Sequence, residues 1–320
     1  MSSIPATFNE RQIKRVILGG EKPRTNAKIS LSVILLSRSG TPFRAGNLDQ
    51  LLSIGFSDII SVEMSAENYN LEDISRRYPS VKFIAPEEKC TLGDMINIGM
   101  SEARENYVLV VWDTLHIPPR SINSYVLKRL EDENILCYVP MLSNALMQSL
   151  PVRMMPSVEN KALSVTGELV VQDKAPTLYP VDYVGLYNKR KFKELGGYDY
   201  SIKSPYWQNL DFSMRAWLWG EQIRMMPQLR FKYETEFQSE DTTPDYSQLK
   251  FFLKNIAPRF SEDHAYIPKS LFLSYYRNSG CGITEAFEDF RKARIWVEKN
   301  KYRFKTDASH LVTSWESLPL

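Results

Sequence analysis

The hydrophobic pattern of the first half of the chain predicts strands and helices in regular alternation. Short runs rich in Ile, Val and Leu, typical of strands buried on both faces, precede stretches with apolar residues three and four positions apart, typical of helices. The predicted strands are 29–36, 59–62, 81–85, 107–112 and 135–139. This alternation predicts an α/β fold with a mostly parallel sheet, whose strands are joined by right-handed helical crossovers.

The predicted strand at 107–112 runs directly into Asp113, and a double proline follows. The helix before this strand has the clearest pattern in the chain, with apolar or small residues along one face between Leu92 and Ala103. Open α/β sheets bind their ligands at the carboxyl ends of their strands. Asp113 is therefore the first candidate for a functional residue.

Beyond residue 140 the regular pattern is interrupted. From 140 to 180 the chain is rich in Met, Pro and Ser, with one predicted strand at 168–172, and such irregular stretches are often functional loops. A strand at 181–187 and helices at 189–195 and 206–219 follow. We predict three parts, which are a lead-in segment at 1–28, an α/β domain at 29–227 and a mainly helical C-terminal extension at 228–320 packed on that domain.

Composition and charge exclude several classes of partner. The 320 residues include 40 basic and 38 acidic side chains, and nucleic-acid-binding proteins usually carry a clustered basic excess, so no nucleic-acid partner is expected. The three cysteines lack CxxC spacing, which argues against disulfides and a zinc site. Because no signal sequence is evident and no apolar stretch approaches ~18 residues, we expect a cytoplasmic protein without a transmembrane segment.

A series of short motifs covers the region between Ser30 and Pro227. The motifs are SVILLSRSG at 32–40, VEMS at 62–65, LGDMINIGMSEA at 92–103, FKELGGYD at 192–199 and YWQNLDFSMRAWLWG at 206–220. In this order and spacing they resemble the family 2 glycosyltransferases of the GT-A fold. The resemblance implies a Rossmann-like mixed sheet, and it implies transfer of a sugar from a nucleotide-sugar donor, with the family's tendency to invert the sugar's configuration.

The chain departs from the family at the two motifs that carry chemistry. The D-x-D motif for metal and nucleotide is replaced by Trp112-Asp113-Thr114, which keeps only the middle carboxylate. The E-D pair that supplies the catalytic base is replaced by Gln208-Asn209. An amide cannot accept a proton at neutral pH, so base catalysis would move to the retained Asp211 or to a residue elsewhere.

The resemblance also implies a role for each candidate residue. The nucleotide-sugar-binding candidates are Ser37, Glu63, Asn97 and Asp113, the acceptor-side candidates are Gly196, Gly197 and Trp207, and the catalytic candidates are Asp211 and Asn209. Asp113 is also the candidate ligand for a divalent metal, Mg²⁺ or Mn²⁺, because these hard cations prefer carboxylate oxygen. Trp207 is of a residue type that stacks on sugar faces.

Most candidates also have a plainer structural interpretation. Asp113 fits a turn or helix cap, Glu63 a solvated strand end, and Asn97 a polar position on an otherwise apolar helix. Asp211 lies one helical turn before Arg215, and the two fit an ion pair worth a few tenths of a kcal/mol. The two consecutive glycines fit a turn that requires positive φ.

Two functions remain open at this point. The first is a glycosyltransferase that moves a sugar from a nucleotide-sugar donor to an unknown acceptor, which would be a glycan, a lipid-linked molecule or a protein. The alternative is a catalytically inactive GT-A pseudoenzyme that acts as a nucleotide-binding or protein-interaction scaffold, as the substituted motifs suggest. The C-terminal extension is open to covering the active site, binding the acceptor or forming a homodimer.

Overall fold

The molecule is built on one large mixed sheet. The computed structural model describes residues 12–20, 27–37, 44–63, 71–159, 162–169 and 172–319. The strands in these residues are β1 (Arg15–Leu18), β2 (Ile29–Leu36), β3 (Phe56–Val62), β4 (Lys82–Pro86), β5 (Tyr107–Trp112), β6 (Leu115–His116), β7 (Cys137–Ser143), β8 (Arg153–Glu159), β9 (Ala162–Glu168), β10 (Gly185–Asn188), β11 (Ile223–Tyr233), β12 (Arg259–Ser261) and β13 (His264–Tyr266).

The strand order of the main sheet is β1-β4-β3-β2-β5-β10-β7-β11-β6. Strands β2, β3, β4 and β5 run parallel, which confirms the predicted α/β fold. Strand β10 lies antiparallel between β5 and β7, and β11 runs parallel to β7. Leu36 of β2 is paired with Trp112 of β5, so these two strands end at the same level of the sheet. The residues that follow them, Ser37 and Asp113, are therefore neighbours.

Helices connect the strands and form most of the C-terminal part. They are α1 (Arg44–Ile54), α2 (Leu71–Arg77), α3 (Leu92–Glu102), α4 (Ser124–Glu133), α5 (Lys189–Glu194), α6 (Pro205–Leu218), α7 (Tyr246–Phe251), α8 (Leu271–Ser279), α9 (Ile283–Asn300) and α10 (Ala308–Thr313). A π-helical segment, Phe252–Ile256, continues α7. Helix α6 is buried along almost its whole length and contacts α3, α7 and α10, so it joins the sheet region to the C-terminal helices.

Two predicted strands differ from the structure. In place of a strand at 168–172, a two-stranded hairpin forms from β8 and β9, and residues 170–171 lie outside the described residues. The hairpin strands mix apolar residues with polar and charged ones, so they lack the continuous apolar run that marks a fully buried strand. In place of a strand at 181–187, a tight turn at Val181–Tyr183 precedes β10, and the positive φ of Asp182 and Tyr183 in this turn is incompatible with a strand.

The hydrophobic pattern also misses β1 and β11. Strand β1 lies in the predicted lead-in segment and pairs with β4 at one edge of the sheet. Strand β11 contains Pro227, a residue that usually argues against a strand, and a register shift between Met226 and Arg230 accommodates it. Strand β11 runs across the predicted boundary between residues 227 and 228. The division into domains stays a prediction.

No helix in the described part of the chain is long and apolar enough to cross a membrane.

Candidate functional site

The carboxyl ends of β2 and β5 bring two of the predicted residues together. The Ser37 hydroxyl donates a hydrogen bond of 2.8 Å to the Asp113 carboxylate, and both side chains are buried. The Asp113 amide donates to the carbonyl of Leu36 at 2.9 Å, which extends the pairing of the two strands past their ends. Asp113 is therefore fixed at the edge of the sheet where ligands of α/β proteins bind.

Glu63 occupies the equivalent place after the neighbouring strand β3. Its amide donates to the carbonyl of Ile84 at 2.9 Å, and its carboxylate accepts a hydrogen bond of 3.0 Å from Ser61. Glu63 is buried, which contradicts the solvated strand end of the structural interpretation. Because Glu63 has no exposed surface, its contact with a nucleotide base stays a prediction.

Trp112, the residue before Asp113, contacts a strained turn. Its indole N–H donates to the carbonyl of Asp182 at 2.9 Å. Asp182 and Tyr183 adopt φ of 52° and 63°, a conformation rare for residues with a side chain and often found at functional sites. The Tyr233 hydroxyl donates to the Asp182 carboxylate at 2.7 Å and holds this turn against β11.

A cavity of about 440 Å³ opens beside this turn. The cavity is lined by residues from the end of β5, the turn, the starts of α3 and α6, and the segment after β11. These residues are Leu92, Trp112, Asp182, Tyr183, Pro205, Tyr206, Gln238, Ser239, Glu240 and Asp241. Three of these residues are aromatic and three are acidic. A cavity with aromatic surfaces and convergent carboxylates is suited to a sugar, because sugars offer apolar faces and hydroxyl groups.

Glu240 is an acidic residue of this cavity with a raised pKa. The Tyr179 hydroxyl donates to its carboxylate at 2.8 Å, and the Asp182 amide lies 3.4 Å from its second oxygen. Burial, with a smaller contribution from the charge of Asp182, raises the pKa of Glu240 to about 7 against these two hydrogen bonds, which lower it. The sequence analysis did not find Glu240, because it lies after β11 in a segment without a motif.

The amide pair Gln208-Asn209 lies inside α6 and makes structural contacts. The Gln208 side chain accepts a hydrogen bond from the Gly93 amide and donates to the hydroxyl of Thr91, each at 2.9 Å. Asn209 donates to the carbonyl of Pro180 at 2.8 Å, immediately before the strained turn. The pair therefore connects α6 to α3 and to the wall of the cavity.

Asp211 lies on the same helix, is fully buried, and is bound by cationic and amide side chains. Arg215 donates to one of its oxygens at 2.9 Å, which confirms the ion pair that the helical spacing predicts. Asn255 of the π-helical segment donates to the other oxygen at 2.7 Å. Asp211 is not among the residues that line the cavity described above. The catalytic roles of Asp211 and Asn209 stay predictions, and these contacts favour a structural role.

Comparison with solved structures identifies the fold of this chain. No family model matches the sequence, and a search of curated proteins finds no match. GalNAc-T7, solved with UDP, GalNAc and Mn²⁺, is similar with a TM-score of 0.56 and 13% identity, covering 92% of this chain. TarS from S. aureus is similar with a TM-score of 0.51 and 11% identity, covering 88% of this chain. The chain has the GT-A fold.

This chain spans only part of those GT-A proteins, 59% of GalNAc-T7 and 45% of TarS. Both are glycosyltransferases, and at these identities the likeness establishes the GT-A fold and no finer relationship. Membership of family 2 stays a prediction.

The remaining predicted residues of the GT-A motifs lie at contacts between elements. The Asn97 side chain donates to the carbonyl of Tyr198 and accepts from its amide, both at 2.9 Å, so it joins α3 to the glycine turn. Gly196 and Gly197 adopt φ of 91° and 69°, which confirms the predicted positive-φ turn. Trp207 is buried and donates to the carbonyl of Thr243 at 3.0 Å. The donor and acceptor roles of these residues stay predictions.

The described residues do not form a metal-binding cluster. No group of three or more His, Cys, Asp or Glu side chains placed to hold an ion occurs among them. At the ends of β2 and β5 Asp113 contributes a single carboxylate, which already accepts the Ser37 hydroxyl. Mg²⁺ and Mn²⁺ take about six oxygen ligands, so these residues do not fit an ion held by the protein alone.

Proposed function

We propose that this protein is a glycosyltransferase that moves a sugar from a nucleoside-diphosphate donor to an acceptor hydroxyl. The observation that carries the proposal is the position of the 440 Å³ cavity on a GT-A sheet. Its wall includes Trp112, the residue next to Asp113, so a cavity suited to a sugar adjoins the strand ends where such a sheet binds its ligand. GalNAc-T7, which shares this fold, is known with UDP bound.

The donor is assigned to the strand ends and the sugar to the cavity. Ser37 and Asp113 offer a hydroxyl and a carboxylate to the hydroxyl groups of the ribose, and Glu63 offers a carboxylate to an N–H group of the base. The aromatic rings of Trp112, Tyr183 and Tyr206 offer apolar surfaces to the sugar. No step is assigned to a metal, because the described residues do not surround one.

The reaction transfers one glycosyl group and inverts its configuration. The oxygen of the acceptor hydroxyl attacks the anomeric carbon, and the bond from that carbon to the diphosphate oxygen breaks. The electron pair leaves with the nucleoside diphosphate, while the hydroxyl proton passes to a base. Inversion is tested by NMR of the anomeric configuration of the first sugar product, since retention would require a second displacement or a different mechanism.

The donor site is tested by thermal shift with UDP, GDP, CDP and TDP, each with and without Mn²⁺. We expect one nucleotide to raise the melting temperature, because a ligand at a hundred times its Kd stabilises a fold by ~2.7 kcal/mol. Asp113→Asn keeps the size of the side chain and its hydrogen bond from Ser37, and it should abolish most of this shift. Asp173→Asn, which changes a carboxylate paired with Arg129, is the matched control and should keep it.

One observation favours the scaffold as a second candidate function. The E-D pair that supplies the catalytic base in family 2 glycosyltransferases is replaced by Gln208 and Asn209, whose side chains make contacts with α3 and with the carbonyl of Pro180. Turnover of a nucleotide sugar separates the two functions. The transferase should release the nucleoside diphosphate from a nucleotide sugar, whereas a scaffold should bind the nucleotide and release none. Absence of nucleotide binding would contradict both the transferase and the nucleotide-binding scaffold.

A further inference from the structure

The start of α6 and the segment after β11 meet at the same cavity. Pro205 and Tyr206, the first residues of α6, line it together with Glu240. The amides of Gln208 and Asn209 lie in the same helix, at the positions where the family 2 glycosyltransferases that the sequence resembles carry the base. A carboxylate that reaches the cavity from a different segment can supply the function that those amides lack.

Building on the proposed transferase function, we propose that Glu240 is the general base that accepts the proton of the acceptor hydroxyl. Its side chain is partly exposed and forms part of the cavity wall. The Tyr179 hydroxyl and the Asp182 amide fix the carboxylate on one side, at 2.8 and 3.4 Å. A carboxylate with two oxygens has about four acceptor positions, so these two contacts leave room for an acceptor hydroxyl.

The strained turn explains why the carboxylate is held in this place. Asp182, with φ of 52°, directs its amide toward Glu240 and its carbonyl toward the Trp112 indole. One residue therefore connects the base with the end of β5, next to Asp113. Strain of this kind costs about 1–3 kcal/mol and persists where surrounding contacts enforce it, as the hydrogen bond from Tyr233 does here.

The electrostatic surroundings favour a base that works near neutral pH. With its pKa raised to about 7 by burial, Glu240 changes protonation in the range where a general base is most effective. The titratable groups around it, from the turn, α6 and its own segment, are Tyr179, Asp182, Tyr183, Tyr206 and Asp241. The tyrosines Tyr179 and Tyr183 have pKa values raised well above 10 by burial, so they stay neutral.

The proposed step moves the glycosyl group to the acceptor oxygen and the acceptor proton to Glu240. As the acceptor oxygen forms its bond to the anomeric carbon, the O–H bond breaks and the proton moves to a carboxylate oxygen of Glu240. The bond from the anomeric carbon to the diphosphate breaks with its electron pair on the diphosphate. Glu240 then returns the proton to solvent after the products leave.

The test uses the full chain with UDP-GalNAc, UDP-glucose and GDP-mannose as probes and water as the acceptor. Release of the nucleoside diphosphate is followed for the wild type, Glu240→Gln, Glu240→Asp and the control Glu236→Gln, an exposed carboxylate of the same segment. We expect Glu240→Gln to lower kcat by ~10²-fold or more and Glu240→Asp to recover part of it, with Glu236→Gln unchanged. Nucleotide Kd from calorimetry should stay unchanged in all four proteins.

The pH profile adds a result that a structural role would not produce. Glu240 is the active base only when it has lost its proton, so wild-type kcat should rise with pH through an apparent pKa near 7 and then level off. Glu240→Gln should lose this rise. A Glu240→Gln variant with wild-type kcat, or with the rise intact, would overturn the assignment. A wild type that binds the nucleotide and turns over none of the probes would overturn the proposed transferase function, and so would absence of nucleotide binding.

Discussion

Replacing Lys254 by Met should lower the free energy of unfolding by ~3–5 kcal/mol at neutral pH, because it removes the cation from a buried ionic cluster. The Lys254 ammonium lies 2.7 Å from the Asp199 carboxylate and 3.5 Å from that of Asp211, and all three side chains are buried. Methionine preserves most of the aliphatic chain. The loss therefore comes from leaving two buried carboxylates with less compensating charge.

The same variant should show a pH dependence opposite to that of the wild type. Burial alone would raise the pKa of Asp199, but the charge and hydrogen bond of Lys254 lower it below its ordinary value of 3.8. The ionised group thus stabilises the wild type above about pH 4, and this contribution is lost as the pH falls below that. Without Lys254 burial raises this pKa, so the penalty of the variant should shrink on acidification.

Urea unfolding of the wild type and Lys254→Met at pH 7 and pH 4 measures this difference. Lys292→Met is the control, because Lys292 is exposed and, within the described residues, forms its ion pair with the exposed Glu288. It should change stability by less than about 0.5 kcal/mol. A Lys254→Met penalty equal at both pH values would show that lost packing, including the contact of Lys254 with the Trp296 ring, causes the effect instead.

This cluster also explains why the helical part and the sheet region form one structure. Asp199 follows the glycine turn and Asp211 lies on α6, whereas Lys254 and Asn255 belong to the π-helical segment. Arg215 pairs with Asp211 and also donates to the carbonyl of Gly197. The motif residues that the family resemblance associates with chemistry thus join three segments here. Their retention in this sequence has a structural reason.

The sequence was informative where the signal is local. The apolar run at 107–112 predicts a buried strand and places Asp113 at its end, and both follow from a few adjacent residues. The spacing of Asp211 and Arg215 predicts their ion pair for the same reason. The α/β fold follows from repeating such local patterns along the chain.

The position of Glu240 and the turn at Asp182 depend on contacts between distant segments, which a local sequence pattern does not show. Glu240 lies at the cavity because the segment after β11 packs against the turn at Asp182. The sequence does not predict β11, because Pro227 lies within it. The positive φ of Asp182 and Tyr183 is imposed by tertiary contacts, since neither residue is glycine. A base that has moved to another segment therefore cannot be found by aligning motifs.

Introducing a methyl group at Gly93 should destabilise the protein by ~1–3 kcal/mol, the usual range for overpacking a core. A Cβ at this position would lie 2.4 Å from the Cβ of Tyr198 and 2.6 Å from the Gln208 carboxamide, distances that require these groups to move. The gain of ~0.5–1 kcal/mol from replacing a helical glycine does not offset this. Gly46→Ala, in α1 with no atom within 4 Å of the added Cβ, is the matched control and should be neutral or stabilising.

Thermal and urea unfolding of both variants measures the change in stability. Release of nucleoside diphosphate from the nucleotide-sugar probes measures the change in turnover. Gly93 donates its amide to Gln208, and its neighbour Leu92 lines the cavity, so displacement of α3 should also reshape the cavity wall. We expect Gly93→Ala to lose turnover more than nucleotide binding, because the added Cβ meets Tyr198 and Gln208, whereas Ser37 and Asp113 lie at the ends of β2 and β5. Equal stability of the two variants would contradict the close packing of α3 on α6 that places the cavity beside Glu240.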